Sequence, residues 1–155
     1  MRTEPEQRWP VGPAANQKRA ALEAICQQHG VAILYSFGSR ARETLAWLDE
    51  PDSVLAPGPS DVDLGVKPLP AAEFNWKAEV ALGHALEDLL GVDRVDIVNL
   101  DSANPFLAAE AVHGERLYAE NEYAADNYDL YILRQEGDLA FLEEERARLL
   151  LGTFK

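Results

Sequence analysis

The apolar run at residues 31–37, Val-Ala-Ile-Leu-Tyr-Ser-Phe, stops at Gly38-Ser39, and a second run, Ser60-Asp-Val-Asp-Leu-Gly-Val66, carries acids at alternate positions. Side chains alternate faces along a strand, so Asp61 and Asp63 emerge on one surface while Val62, Leu64 and Val66 emerge on the other. A third acid, Asp96, stands inside Arg94-Val-Asp-Ile-Val98, where an uncompensated charge is costly. Three carboxylates on neighbouring strands beside a small Gly-Ser turn are the pattern of a divalent-metal and phosphate site. Hard cations choose carboxylate oxygens, and backbone N–H groups at a helix start attract phosphate. Asp93 competes for the third place, but using it shifts the strand by an odd number of residues and turns Asp96 away.

The rest of the chain supplies a frame for these strands. Residues 1–15, with Pro5, Pro10, Gly12 and Pro13, read as an extended arm. Asn16 caps a helix to about residue 29, and Gly30 stops it. After the strand at 31–37 and the turn at 38–39, a short helix is expected over 40–48. A Pro/Gly-rich loop follows over 49–60, then a strand over 61–67 closed by Pro68 and Pro70. Residues 71–90 have the 3.6-residue periodicity of a helix ended by Gly91, and 94–100 form a third strand. Asn104-Pro105 starts a helix that ends near Gly114, and 115–119 make a fourth strand. The charged tail from about 120 to 151 reads as helical with a break at Gly137. Its apolar stripe, which includes Tyr131, Phe141, Leu142 and Leu149, needs a partner surface. This divides the chain into an arm (1–15), a core domain (16–120) and a helical tail (121–155).

A formal net charge of −13 works against nucleic-acid binding, which depends on a basic surface displacing counterions from phosphates. A small anionic substrate remains compatible, because a bound divalent cation supplies positive charge locally, and long-range attraction favours a basic protein partner. The 155 residues suit one domain with a sizeable core. No apolar run approaches the roughly 18 residues of a membrane span, and the first ten residues lack the apolar centre of a signal peptide. Cys26, the single cysteine, can form no internal disulfide, which fits a reducing cytoplasm. A soluble cytoplasmic protein is expected, bound to neither membrane nor nucleic acid. Cys26 reads as core, Trp47 and Trp76 as packing residues, and His29, His84 and His113 lack a zinc-ligand spacing.

Gly38-Ser39, the following Arg40-Ala-Arg42, Asp61-Val-Asp63 and Val95-Asp96-Ile-Val98 together resemble a minimal nucleotidyltransferase, the MNT group of the DNA polymerase β superfamily, over roughly residues 20 to 120. The resemblance implies an α/β (α+β) fold, a small mixed β-sheet with helices packed on it, plus the C-terminal helical tail. It implies ATP as substrate and two Mg²⁺ ions about 3.5–4 Å apart, with Asp61, Asp63 and Asp96 as catalytic and metal-binding residues. Asp61 and Asp63 take the place of the metal pair, and Asp96 that of the acid that completes one metal and polarises the attacking hydroxyl. Gly38, Ser39, Arg40 and Arg42 take the places that hold the triphosphate.

MntA-like members of this group are antitoxins that adenylylate a tyrosine of a HEPN-domain toxin, so the resemblance points to AMP transfer onto a basic HEPN partner. Two other readings stand beside it: a non-catalytic module of the same fold that neutralises a toxin by contact, and a small-molecule nucleotidyltransferase. Self-association through the tail helix also remains open. Two departures mark this chain. Residues 40–60, 21 in all, separate Ser39 from Asp61, a longer spacer than in compact members, and Glu43 stands where a glycine is frequent. An insertion in a surface connection costs little, and a lid, a partner contact and surface decoration are all open roles for residues 45–57.

Overall fold

The computed structural model describes residues 13–58 and 60–152. Four strands, β1 (Val31–Phe37), β2 (Val62–Pro68), β3 (Val95–Asn99) and β4 (Glu115–Ala119), form one sheet in the order β3-β2-β1-β4. β1 runs antiparallel to both β2 and β4, whereas β2 and β3 are parallel. The sheet is therefore mixed. α3 (Trp76–Leu90) makes the crossover that a parallel β2–β3 pair requires.

Alternation along the strands sorts the apolar side chains into two cores. On one face Leu34, Val62, Leu64 and Val66 meet α1 (Pro13–Gln28), α2 (Ala41–Asp49) and α3 through residues such as Leu22, Trp47, Leu48, Leu82 and Leu86, with Cys26 fully buried among them. On the other face Ile33, Tyr35 and Phe37 meet Ala108, Ala109 and Ala111 of α4 (Pro105–His113) and Ala125 and Ile132 of α5 (Glu122–Gly152). Small alanines let α4 lie close against the sheet.

Caps account for most helix limits. Asn104 accepts from the Leu107 N–H at 2.9 Å, with Pro105 in the first turn of α4. Asn75 accepts from the Ala78 N–H at 3.0 Å, so α3 begins at Trp76 and not at the expected residue 71. α1 begins at Pro13, inside the expected arm and ahead of the expected cap Asn16; residues 1–12 of that arm lie outside the described residues. The expected break at Gly137 does not occur, and α5 runs 31 residues without interruption. One helical glycine costs only about 1 kcal/mol, too little to end a long helix. Only Ala125 and Ile132 of α5 are buried among its described residues, and Phe141, Leu142 and Leu149 are more than half exposed. Among the described residues no helix is long and apolar enough to cross a membrane.

Candidate active site

The strand register assembles the site. β1 ends at Phe37, which pairs with Asp63 on β2, and Asp63 pairs with Asp96 on β3. Paired residues share a face, so Asp63 and Asp96 stand side by side next to the turn that leaves β1. That turn is a single 3₁₀ turn, Gly38–Arg40, running into α2. Gly38 has φ +77°, and a Cβ built there would lie 2.5 Å from Asp63 Oδ2. Only glycine gives both the left-handed backbone and the room for this contact. Ser39 Oγ lies 3.2 Å from Ser60 Oγ, which ties the turn to the segment entering β2. Asp61 shares the parity of Asp63 just ahead of β2, and Arg94 lies 3.6 Å from Asp61 and 3.7 Å from Asp96.

Like charge dominates this end of the sheet. Burial, together with the neighbouring carboxylates of Asp96, Asp61 and Glu110, raises the Asp63 pKa above its ordinary value. Glu110 comes from α4, across the sheet face, and no motif in the sequence marks it. Mutually repelling carboxylates beside a glycine turn suit hard divalent cations. Among the described residues, however, no three His, Cys, Asp or Glu side chains are already drawn into a metal cage. The donor chemistry fits such an ion, with the acids ranged along a rim. Three clefts open around them. One of about 390 Å³ is lined by Gly38, Ser39, Arg42, Glu110 and His113. A second, about 260 Å³, includes Asp61 and Arg94. A third, about 290 Å³, lies between Asp96 and α3.

The family model described as polymerase beta, nucleotidyltransferase matches residues 20–123. The chain belongs to the polymerase β nucleotidyltransferase family. A search of curated proteins found no match. Solved structures share the fold. A tri-AMPylated Shewanella oneidensis HEPN toxin in complex with its MNT antitoxin matches at 17% identity and TM-score 0.57, over 91% of this chain and 99% of that one. A toxin–antitoxin complex with AMP-PNP matches at 20% identity and TM-score 0.57, over 88% and 98%. An MntA–HepT toxin–antitoxin complex matches at 17% identity and TM-score 0.56, over 90% and 99%.

Within this nucleotidyltransferase the two arginines after the turn part company. Arg42 is exposed and lines the Gly38–Ser39 cleft. Arg40, which the sequence pattern grouped with the triphosphate-holding residues, is engaged within the protein. It is buried at 8% exposure, donates from Nε and Nη2 to the Glu43 carboxylate at 3.0 and 2.8 Å, and donates from Nη2 to the Ala56 carbonyl. Hydrogen bonding to Arg40 holds the Glu43 carboxyl below its ordinary pKa. The two departures from the family pattern are therefore one feature: Glu43 orients Arg40, and Arg40 holds down the inserted segment. Lys18 holds it from the other side, donating to the carbonyls of Trp47, Glu50 and Ser53 at 2.8, 2.7 and 2.9 Å. Leu55 packs into the core at 6% exposure. The segment is thus tied to the body of the domain from both sides.

Proposed function

We propose that this nucleotidyltransferase moves AMP from ATP, with Mg²⁺, onto a hydroxyl of a partner protein, a tyrosine of a basic HEPN toxin for which it serves as antitoxin. One observation carries the reading: the register that sets Asp63 beside Asp96 while Gly38 closes on Asp63 Oδ2. Structures with the same fold, a tri-AMPylated HEPN toxin with an MNT antitoxin and a toxin–antitoxin complex with AMP-PNP, support this choice of substrate and acceptor.

In this reading the backbone N–H groups at Gly38-Ser39, the Ser39 hydroxyl and Arg42 bind the outer phosphates. Asp61, Asp63 and Asp96 would hold the magnesium, which when bound neutralises charge on the triphosphate. Asp96, at 46% side-chain exposure, is open to an acceptor hydroxyl and takes its proton as that oxygen attacks the α-phosphorus. The bond from the α-phosphorus to the bridging oxygen breaks, and pyrophosphate leaves. The charge of −13 and the exposed outer side of α5 suit a basic partner. Self-association through α5 brings like-charged copies together and is the weaker use of that helix. We place the protein in the cytoplasm, where a HEPN partner and ATP are both at hand.

The test is transfer of label from ATP to the product of the adjacent gene by pure protein with Mg²⁺. Transfer is expected, and it is expected to vanish in the double variant Asp61→Asn with Asp63→Asn. Transfer that survives that change removes the assigned site. A second reading, masking of the toxin by contact alone, draws on the absence of a ready-made three-ligand cage among the described residues. Tight complex formation with no ATP binding in calorimetry selects it. A small-molecule acceptor instead requires label on a low-molecular-weight product.

A further inference from the structure

We infer that the inserted segment before β2 builds a nucleoside pocket: the cleft between this segment and the α3–β3 connection takes the base and ribose of the nucleotide. The inference rests on the nucleotidyltransferase reading above and adds the role of a segment that compact relatives lack.

The cleft, about 260 Å³, has Pro57, Gly58 and the Arg40 guanidinium on one wall and Val92, Asp93 and Arg94 on the other, with Asp61 between them in sequence and in the same lining. Its size falls just below the roughly 300–1,000 Å³ of whole small-molecule sites, the range of a fragment such as a nucleoside. Its chemistry is mixed in the way a nucleoside needs. Apolar surface from Pro57 and Val92, with the buried Leu55 behind it, meets one face of a base, the exposed Arg94 guanidinium offers a plane for stacking, and Asp93 and Ser60 offer acceptors to amino and hydroxyl groups. Its position is also right. Ser60, in this lining, touches Ser39 of the phosphate turn, so a nucleotide can span from one cleft to the other past Asp61 and Asp63.

The acceptor has a separate place. Asp96 lies in the cleft on the α3 side, with Glu79, His84 and Glu87, and does not line the inserted-segment cleft. That acidic surface repels a triphosphate and suits a basic protein approaching Asp96. The wall is fixed in advance by Arg40, Glu43 and Lys18, so nucleoside binding need not order a loop.

Two variants fill the pocket from opposite sides. A Cβ at Gly58 would make only ordinary contact with Arg40, at 3.6 Å, and Asp93 is exposed, so Gly58→Trp and Asp93→Trp are both expected to fold, which melting curves check. Calorimetry with Mg²⁺ then compares ATP with tripolyphosphate on each full-length variant. Each variant is expected to weaken ATP by about tenfold, the scale of one lost base stack, and to leave tripolyphosphate unchanged. Equal losses for both ligands overturn the pocket, as does unchanged ATP affinity with reduced transfer to the partner protein, which makes the cleft an acceptor surface. If neither ligand binds the unaltered chain, the nucleotide site itself falls, and the pocket with it.

Discussion

Two clusters of carboxylates in this molecule have opposite electrostatic settings. At the root of α5, Glu122, Asp126 and Asp129 surround Arg116, whose guanidinium reaches them at 2.8, 3.0 and 2.7 Å, and Tyr35 donates its hydroxyl to Asp129. Burial opposes the charge on Arg116, but its hydrogen bonds to these acids outweigh that and raise its pKa. At the other cluster the charges of Asp96, Asp61 and Glu110 all bear on Asp63, and Arg94 pairs with Asp61 and Asp96 only loosely, at 3.6 and 3.7 Å from a side chain 71% exposed. A compensated cluster fastens a helix to a sheet. An uncompensated one is held together by the fold against its own repulsion, and that is the arrangement a cation-dependent site needs.

The largest expected effect comes from removing charge at the uncompensated cluster. Asp63→Asn should lower AMP transfer by about a thousandfold or more, the scale of losing a central electrostatic group, and at the same time raise the melting temperature of the nucleotide-free protein. The sign follows from linkage. The folded pKa of Asp63 lies above its ordinary value, so its ionised form costs stability at neutral pH, and the cost fades as pH falls through the folded pKa. The stabilisation by Asp63→Asn should therefore be full at pH 7 and disappear under acid conditions. A variant that melts lower at neutral pH would put Asp63 among the compensated acids and erase the contrast.

The compensated cluster should answer in the opposite sense. Arg116→Met leaves three acids without their cation, and breaking the part-buried pair with Asp129 costs about 3 kcal/mol. For a chain of this size that is a fall of roughly 10 °C in melting temperature. Limited proteolysis should show α5 released, while nucleotide binding by the remaining domain persists. A rise in melting temperature would mean that the cluster is held for something other than anchoring α5.

Much of this is legible in the sequence. The strand at 31–37 falls where a continuous apolar run places it, the strand expected over 115–119 forms, and alternation along 62–66 sets Asp63 opposite the buried Val62 and Leu64. Asn104-Pro105 carries its own cap and first turn. What failed did so for identifiable reasons. Gly137 is one weak helix former among thirty-one residues, and propagation carries the helix through it. The role of Arg40 was encoded at Glu43, three residues on along the same helix face, but a glycine expected there by resemblance hid the ion pair. Glu110 and the three clefts depend on how α4, α3 and the inserted segment pack, and no local pattern records such long-range placement.

The smallest effect separates the two arginines. Glu43→Gln removes the carboxylate that orients Arg40, and because Glu43 is 42% exposed the loss should be only about 0.5 kcal/mol. Its pH dependence runs opposite to that of Asp63: with the folded pKa lowered, the pair contributes above the ordinary glutamate range and is lost as pH falls through the folded value. The more telling readout is amide hydrogen exchange over 50–60, which should quicken in the variant, most of all near Ala56. Unchanged exchange would mean that Lys18 alone holds the segment. Arg40 would then be free to turn toward the phosphate turn, and the division of labour between a structural Arg40 and a phosphate-facing Arg42 would give way to a paired role for both.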